Sequence, residues 1–359
     1  MTDTLSHLKE MLLVSGLSGY EEPIREVITY AWKPLVDELS VSKLGSLHAL
    51  RHGRGPDPRP SIMIATHMDA IGLIVSNIKD GFLTVSEIGG IDARVLPGQL
   101  VTVHGSEDLP GLVVQPPDFT LPDSEQNRPV PLKRLLVDTG LTPRQVKQKV
   151  KIGDLVSFAS QPQEMNGKYI TGHSLDNRAS VAVLTECLAL LQTRLHLWDV
   201  WAAATVQEEV TLGGALTSGY QLRPTLAVVI DVTFAKGPGA SEPQTFDMDK
   251  GPTLEWGPNT HPKLHDEFIQ LAETMEIPFQ KAVYPRMSGT DAITLQIAGD
   301  GIPTMLMGIP LRYMHTTVEM IQYKDIERAA RILAEFIAAL DDEFVEKLEW
   351  DQDDEKGED

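Results

Sequence analysis

The stretch WDVWAAATVQEEVTLGGA (198–215) opens on an apolar run bounded by a turn and breaks at two adjacent carboxylates, Glu208 and Glu209. A short run with no polar alternation reads as a strand buried on both faces, the texture of a sheet covered by helices on either side. The pattern recurs. SIMIATHMD (61–69) ends at His67, TLAVVID (225–231) ends at Asp231, and IPTMLMGIP (302–310) stops shortly before His315. A fifth residue of the same kind, Asp176 in GHSLDNRAS (172–180), stands where a β-rich region gives way to a helix. In open α/β sheets ligands and catalytic groups gather at the carboxyl ends of the strands, so residues scattered over the chain can meet there.

Around these runs the chain alternates strand and helix patterns. Residues 4–15 and 21–31 carry apolar positions at helical spacing, separated by the break SGLSGYEEP (15–23), and a longer helix is expected over 177–192. From 74 to 165 the texture changes to short strands such as FLTVSEI, QLVTVHG, LPGLVVQ and DLVSFAS, cut by Gly/Pro turns and the loop QPPDFTLPDSEQNRPVPLK (115–133). The expected fold is therefore α/β: a mixed central sheet with helices on both faces, formed by residues 1–73 and 166–359, carrying an inserted small barrel-like all-β domain over 74–165.

Composition narrows the function classes. With 31 Lys+Arg against 51 Asp+Glu among 359 residues, the net charge of −20 repels phosphate backbones and anionic lipid, which argues against nucleic-acid and membrane partners. Part of the excess sits in WDQDDEKGED (350–359), read as a solubilising tail. The single cysteine, Cys187, excludes an intrachain disulfide and reads as a buried structural thiol. No signal-peptide pattern opens the sequence and no long apolar run interrupts it, so the cytoplasm is the expected location.

Two histidines and three acids make a mixed nitrogen and oxygen donor set, suited to zinc, cobalt or manganese and poorly suited to calcium. Five ligands are too many for one tetrahedral catalytic zinc that also holds water. If Asp176 bridges, each of two ions receives one histidine and one acid besides, and the pair can share a hydroxide. Asp69 lies two residues beyond His67 on the same side of an extended chain, placed for its carboxylate to accept the ring N–H and fix the imidazole. Glu208 and Glu209 diverge from one turn, so one can bind metal while its neighbour acts as general base. Each residue alone has a plainer reading: a loop histidine, acids at a helix start, a turn-capping Asp231, an N-capping Asp176, a core His315. Five such accidents at strand and domain ends are harder to accept together than one site.

Over nearly its whole length the sequence resembles the M42 metallo-aminopeptidases of the glutamyl and tetrahedral aminopeptidase type. The matching segments are LLVSGLSGYEEPIREVI, ATHMDAIGLIV, GGIDARVLPGQLV, GHSLDNRAS, TVQEEVTLGGA, VVIDVT, SGTDA and IPLRYMHTTVE. The resemblance implies His67, Asp176 and Asp231 on one metal ion, Asp176, Glu209 and His315 on a second, Glu208 as general base and Asp69 as partner of His67. It also implies an inserted β domain that shapes the pocket and takes part in assembly, peptide substrates, and homo-oligomerisation into a hollow dodecamer. Ala70, Gly213 and Phe234 stand where the family pattern has an acidic residue, a basic residue and a histidine; none removes an expected ligand.

The expected reaction is hydrolysis of the N-terminal peptide bond by metal-activated water. Three rivals share some of the same residues: an amidohydrolase acting on acylated amino acids, a glycoside hydrolase using the paired acids, and a metal-binding scaffold without turnover. Neighbours in one turn fit poorly the pair of carboxyls that flanks a sugar bond.

Overall fold

The computed structural model describes residues 3–240 and 244–349, so the acidic tail lies outside the described residues. At the centre of an eleven-stranded sheet, strands Asp199–Thr205, Ser61–His67, Leu226–Phe234 and Thr304–Arg312 run parallel, side by side in that order. Antiparallel strands extend it on both sides, Leu47–Arg51 and Glu38–Val41 on one and Glu319–Gln322, Tyr169–Gly172 and Gln163–Met165 on the other. Thr253–Trp256 also pairs with Thr304–Arg312, and Gln280–Val283 pairs with it in turn. The sheet is mixed, as the alternating texture predicts.

The unbroken apolar runs follow from burial on both faces. Ile62 and Ile64 point into a large core with helices Leu175–Leu191, Pro262–Thr274 and Tyr323–Ala339, whereas Met63 and Ala65 point into a smaller one with Gly213–Leu222 and Ala292–Gln296. Helix Leu175–Leu191 is buried along most of its length, which explains why SVAVLTECLALL lacks a polar face. Cys187 is fully buried there, and burial pushes its thiol above the ordinary range, so it is an inert packing group. The two N-terminal helices span Thr4–Leu12 and Glu22–Trp32.

A closed six-stranded barrel occupies the β-rich part of the chain, its strands Gly72–Lys79, Phe82–Ile88, Leu100–His104, Asp108–Val114, Leu136–Asp138 and Leu155–Phe158. Alternate residues fill it: Leu73 and Val75, Leu83 and Val85, Val101 and Val103 form a core separate from that of the sheet. Closure removes the exposed edges that such short strands otherwise present. No helix among the described residues is long and apolar enough to cross a membrane.

Aromatic packing ties the last helices to the sheet. The rings of Phe268 and Phe336 lie 4.2 Å apart, Phe336 meets Phe344 edge-on at 5.7 Å, and Phe344 meets Trp198 at 6.1 Å. Phe268 is fully buried in this chain of contacts, so Phe268→Ala is expected to cost about 3–5 kcal/mol in a reversible denaturant titration.

Candidate active site

The parallel register brings Thr205, His67 and Asp231 level. Thr205 pairs with His67, Val229 with Ala65, and Asp231 with Gly308. His67 is the last residue of its strand, whereas Asp231 lies within Leu226–Phe234, which continues pairing past the end that the apolar run predicts. Beyond Thr205 the chain turns through Gln207, whose φ of 58° is left-handed, into the short helix Glu208–Thr211. Asp176 stands in the non-helical start of Leu175–Leu191, and His315, with φ 61°, in the turn between Thr304–Arg312 and Glu319–Gln322.

These residues converge on the Asp176 carboxylate. Its Oδ1 lies 3.1 Å from Nε2 of His67 and its Oδ2 lies 3.4 Å from Nε2 of His315. The His67 nitrogen is also 3.7 Å from Asp231 Oδ1 and 3.9 Å from Glu208 Oε2, while that of His315 is 3.4 Å from Glu209 Oε2. The two oxygens of one carboxylate thus face two separate histidine–acid pairs. His67, Asp176 and Glu209 offer ligand atoms that all lie within 4.8 Å of one another, a spacing able to hold a metal ion.

Asp69 is placed differently from the sequence-based expectation. Nδ1 of His67 is hydrogen-bonded to the Asp69 backbone carbonyl at 3.2 Å, while the nearer carboxylate oxygen stands 3.6 Å away. The carboxylate instead accepts the backbone N–H groups of Glu208, at 3.0 Å, and Glu209, at 3.2 Å, together with the Ser18 hydroxyl at 2.6 Å. The carbonyl wins because the backbone N–H groups that begin the Glu208 turn have no other acceptor and draw the carboxylate toward them. Asp69 therefore aims His67 through its main chain and the paired glutamates through its side chain.

Other buried groups, to which the sequence patterns gave no role, complete this frame. Glu319 accepts the N–H of Asp176 at 3.1 Å and that of His315 at 3.0 Å, one through each oxygen. Glu21 accepts the N–H of Gln207 at 3.1 Å, bracing the Glu208 turn from the N-terminal segment. Arg178 donates to the carbonyls of Met11 and Val14 and faces the charges of Asp69 and Glu319. A backbone-directed carboxylate leaves no periodic trace; the one available sign was the acid four residues beyond His315.

The electrostatics describe a carboxylate-rich site short of cations. Burial, with Asp231, Asp291 and Asp176 nearby, pushes Glu208 up to about 9 against the pull of His67. Burial and Asp176 raise Glu209 well above the carboxylate range, and burial raises Asp231. Burial acts on Asp176 in the same sense, yet hydrogen bonds from His315 and His67 outweigh it and hold Asp176 below its ordinary value. Burial lowers His67, yet Glu208, Asp176, Asp231 and Asp69 outweigh it and hold the imidazole well above its ordinary value. Oε1 of Glu209 is buried without a hydrogen-bond partner, an acceptor waiting for a positive guest.

A cavity of about 550 Å³ opens over these groups, with Thr233, Phe234, Glu255, Tyr284 and Met314 among its walls. A larger one, about 720 Å³, lies between the N-terminal segment and the barrel, and none of the five converging residues lines it. Volume does not locate the chemistry here; the charged side chains do. The barrel reaches the site through its Gly89–Gly90 loop: a Cβ on Gly90 would stand 3.1 Å from Nδ1 of His315.

Comparison with known proteins identifies the family. The family model described as M42 glutamyl aminopeptidase matches residues 45–332. The chain is 33% identical to the lysyl aminopeptidase of Pyrococcus furiosus over 331 residues, covering 90% of this chain and 94% of that protein. Its fold superposes with a TM-score of 0.91 on the TET aminopeptidase of the marine-sediment archaeon Thaumarchaeota archaeon SCGC AB-539-E09, at 31% identity, covering 96% and 99% of the two chains. The TET1 peptidase of Pyrococcus horikoshii, which assembles into a tetrahedron or a large octahedral shell, is matched with a TM-score of 0.81 at 30% identity over 94% of this chain and 100% of that one. With the family model spanning most of the sequence and a relative matched over nearly the full length of both chains, the chain belongs to the M42 family of aminopeptidases.

Proposed function

We propose that Asp176 bridges two divalent cations, one held also by His67 and Asp231 and the other by Glu209 and His315, and that the site removes N-terminal residues from peptides. The observation that carries this reading is the division of the Asp176 oxygens between the two histidines. The unpartnered Glu209 oxygen and the excess of buried carboxylates support it, since each lacks the positive charge that a pair of ions supplies. Two imidazoles with three carboxylates suit zinc first, with cobalt or manganese as alternatives.

When bound, such ions supply Lewis acidity, acidifying water and polarising the scissile carbonyl. The chain supplies the proton path. Glu208 takes a proton from the attacking water as its oxygen joins the carbonyl carbon, and delivers a proton to the departing amine nitrogen as the C–N bond breaks. Asp69, through the two N–H groups that it holds, keeps Glu208 and Glu209 on diverging courses, one for the proton and one for the cation. The barrel loop at Gly90 forms part of the wall beside His315, which gives the inserted domain a role in shaping the pocket. By likeness to PhTET1-12s, whose structure has a dodecamer in the asymmetric unit, the chain forms a homo-oligomer with a dodecamer as the expected form, and the family resemblance gives the barrel a part in that assembly.

Glu208→Gln is expected to lower kcat on an aminoacyl anilide by roughly 10²- to 10⁴-fold while calorimetry still records cation binding; full activity would remove Glu208 from the role of base. Anomalous scattering from zinc-loaded crystals should give two peaks flanking Asp176, and a single peak would leave the bridge without support. Native mass spectrometry should record an oligomer of many subunits, against which a monomer at micromolar concentration would count decisively.

A further inference from the structure

The cavity holds one carboxylate more than the proposed cations need. Asp176, Glu208, Glu209, Asp231 and Glu255 all line it, and no lysine or arginine does so among the described residues. Two divalent ions neutralise four of these five charges. Cation binding takes Asp176, Glu209 and Asp231 and proton transfer takes Glu208, so Glu255 is the one left without a role, and it is about as buried as the others, 5% exposed against 6% for Asp231 and 9% for Glu208.

Its position follows from the sheet. Gly308 pairs with Asp231 on one side and with Thr253 on the other, so the three form a row across neighbouring strands. Glu255, two residues beyond Thr253, lays its carboxylate back over that row. A Cβ on Gly308 would fall 2.9 Å from Glu255 Oε1 and 2.3 Å from Thr253 Oγ1. Glycine at 308 is what allows an acidic side chain to lie beside Asp231. Among the described residues one hydrogen bond reaches the Glu255 side chain, from the Thr253 hydroxyl, and it is long at 3.4 Å. Thr233 and Tyr284, whose hydroxyls pair with each other at 2.9 Å, line the cavity beside Glu255, and with Phe234 they offer no cation either.

We infer that Glu255 is a specificity-determining residue that favours peptides whose N-terminal side chain is cationic, lysine or arginine, and that the cavity rejects glutamate and aspartate at that position. A Lys or Arg side chain brings the missing positive charge to a carboxylate already desolvated by the fold, whereas an acidic one enters a cavity of its own sign with no partner to meet it. The inference rests on the two-cation reading above and sets this chain apart from the glutamyl description carried by its family model.

The test compares kcat/KM for lysyl, norleucyl and glutamyl anilides with the metal-loaded, full-length enzyme. The lysyl-to-norleucyl ratio is expected to exceed one and the glutamyl-to-norleucyl ratio to lie about tenfold or more below one. In Glu255→Gln the first ratio should fall by about tenfold and the second should rise, and Glu255→Lys should invert the order. A purely structural Glu255 would scale all three substrates alike, and unchanged ratios would overturn the assignment. If the variants do not fold, product inhibition of the wild-type enzyme decides the matter, because free lysine should inhibit more strongly than free glutamate and the reverse order refutes the inference. If norleucyl anilide is cut but the glutamyl substrate is preferred to the lysyl one, the inference falls alone. If none of the three is cut, the two-cation aminopeptidase reading falls and takes the inference with it.

Discussion

The charge balance around Asp176 governs this structure. Several carboxylates and two imidazoles occupy a region from which the fold has removed most of the water, and buried carboxylates are stable only when paired or hydrogen-bonded. The protein meets this in two ways. Some acids, Asp69 and Glu319 above all, are satisfied by backbone N–H groups and hold the loops in place. Others, Glu208, Glu209, Asp231 and Glu255, keep oxygens directed into the cavity, where their charge is available to a guest.

The sheet makes this concentration of charge possible. Strands Asp199–Thr205 and Ser61–His67 end side by side, and Asp231 lies level with them on Leu226–Phe234, so groups near the carboxyl ends of neighbouring parallel strands reach one place. The irregular backbone is confined to the connections, where Gln207, Leu212 and His315 take left-handed conformations. Such conformations are disfavoured for these residues and persist where surrounding contacts fix them. Here the fixing contacts are visible: Glu21 on the N–H of Gln207, and Glu319 on that of His315.

Much of this was legible in the sequence because it depends on which residues end the buried runs. His67 ends an apolar strand and the Glu208–Glu209 pair follows one, while Asp231 ends its apolar run inside a strand that continues to Phe234; a strand buried on both faces declares itself by lacking polar alternation. The barrel was legible for a related reason, since short alternating strands between Gly/Pro turns have few ways to fold. What escaped was the support. Which group accepts the Nδ1 proton of His67 depends on the path of the main chain after the strand, and residue order alone pointed to the carboxylate where the carbonyl is used. Glu255 escaped as well, because its approach to Asp231 requires the glycine at 308 on an adjacent strand, a relation that exists only once the strands are in register.

Glu319 joins two segments that are distant in the chain. Because one carboxylate grips the main chain at both Asp176 and His315, ordering either segment spends part of the entropy that the other would have to lose. Neither segment can then shift without pulling on the other, so the walls on the two sides of Asp176 move as one piece.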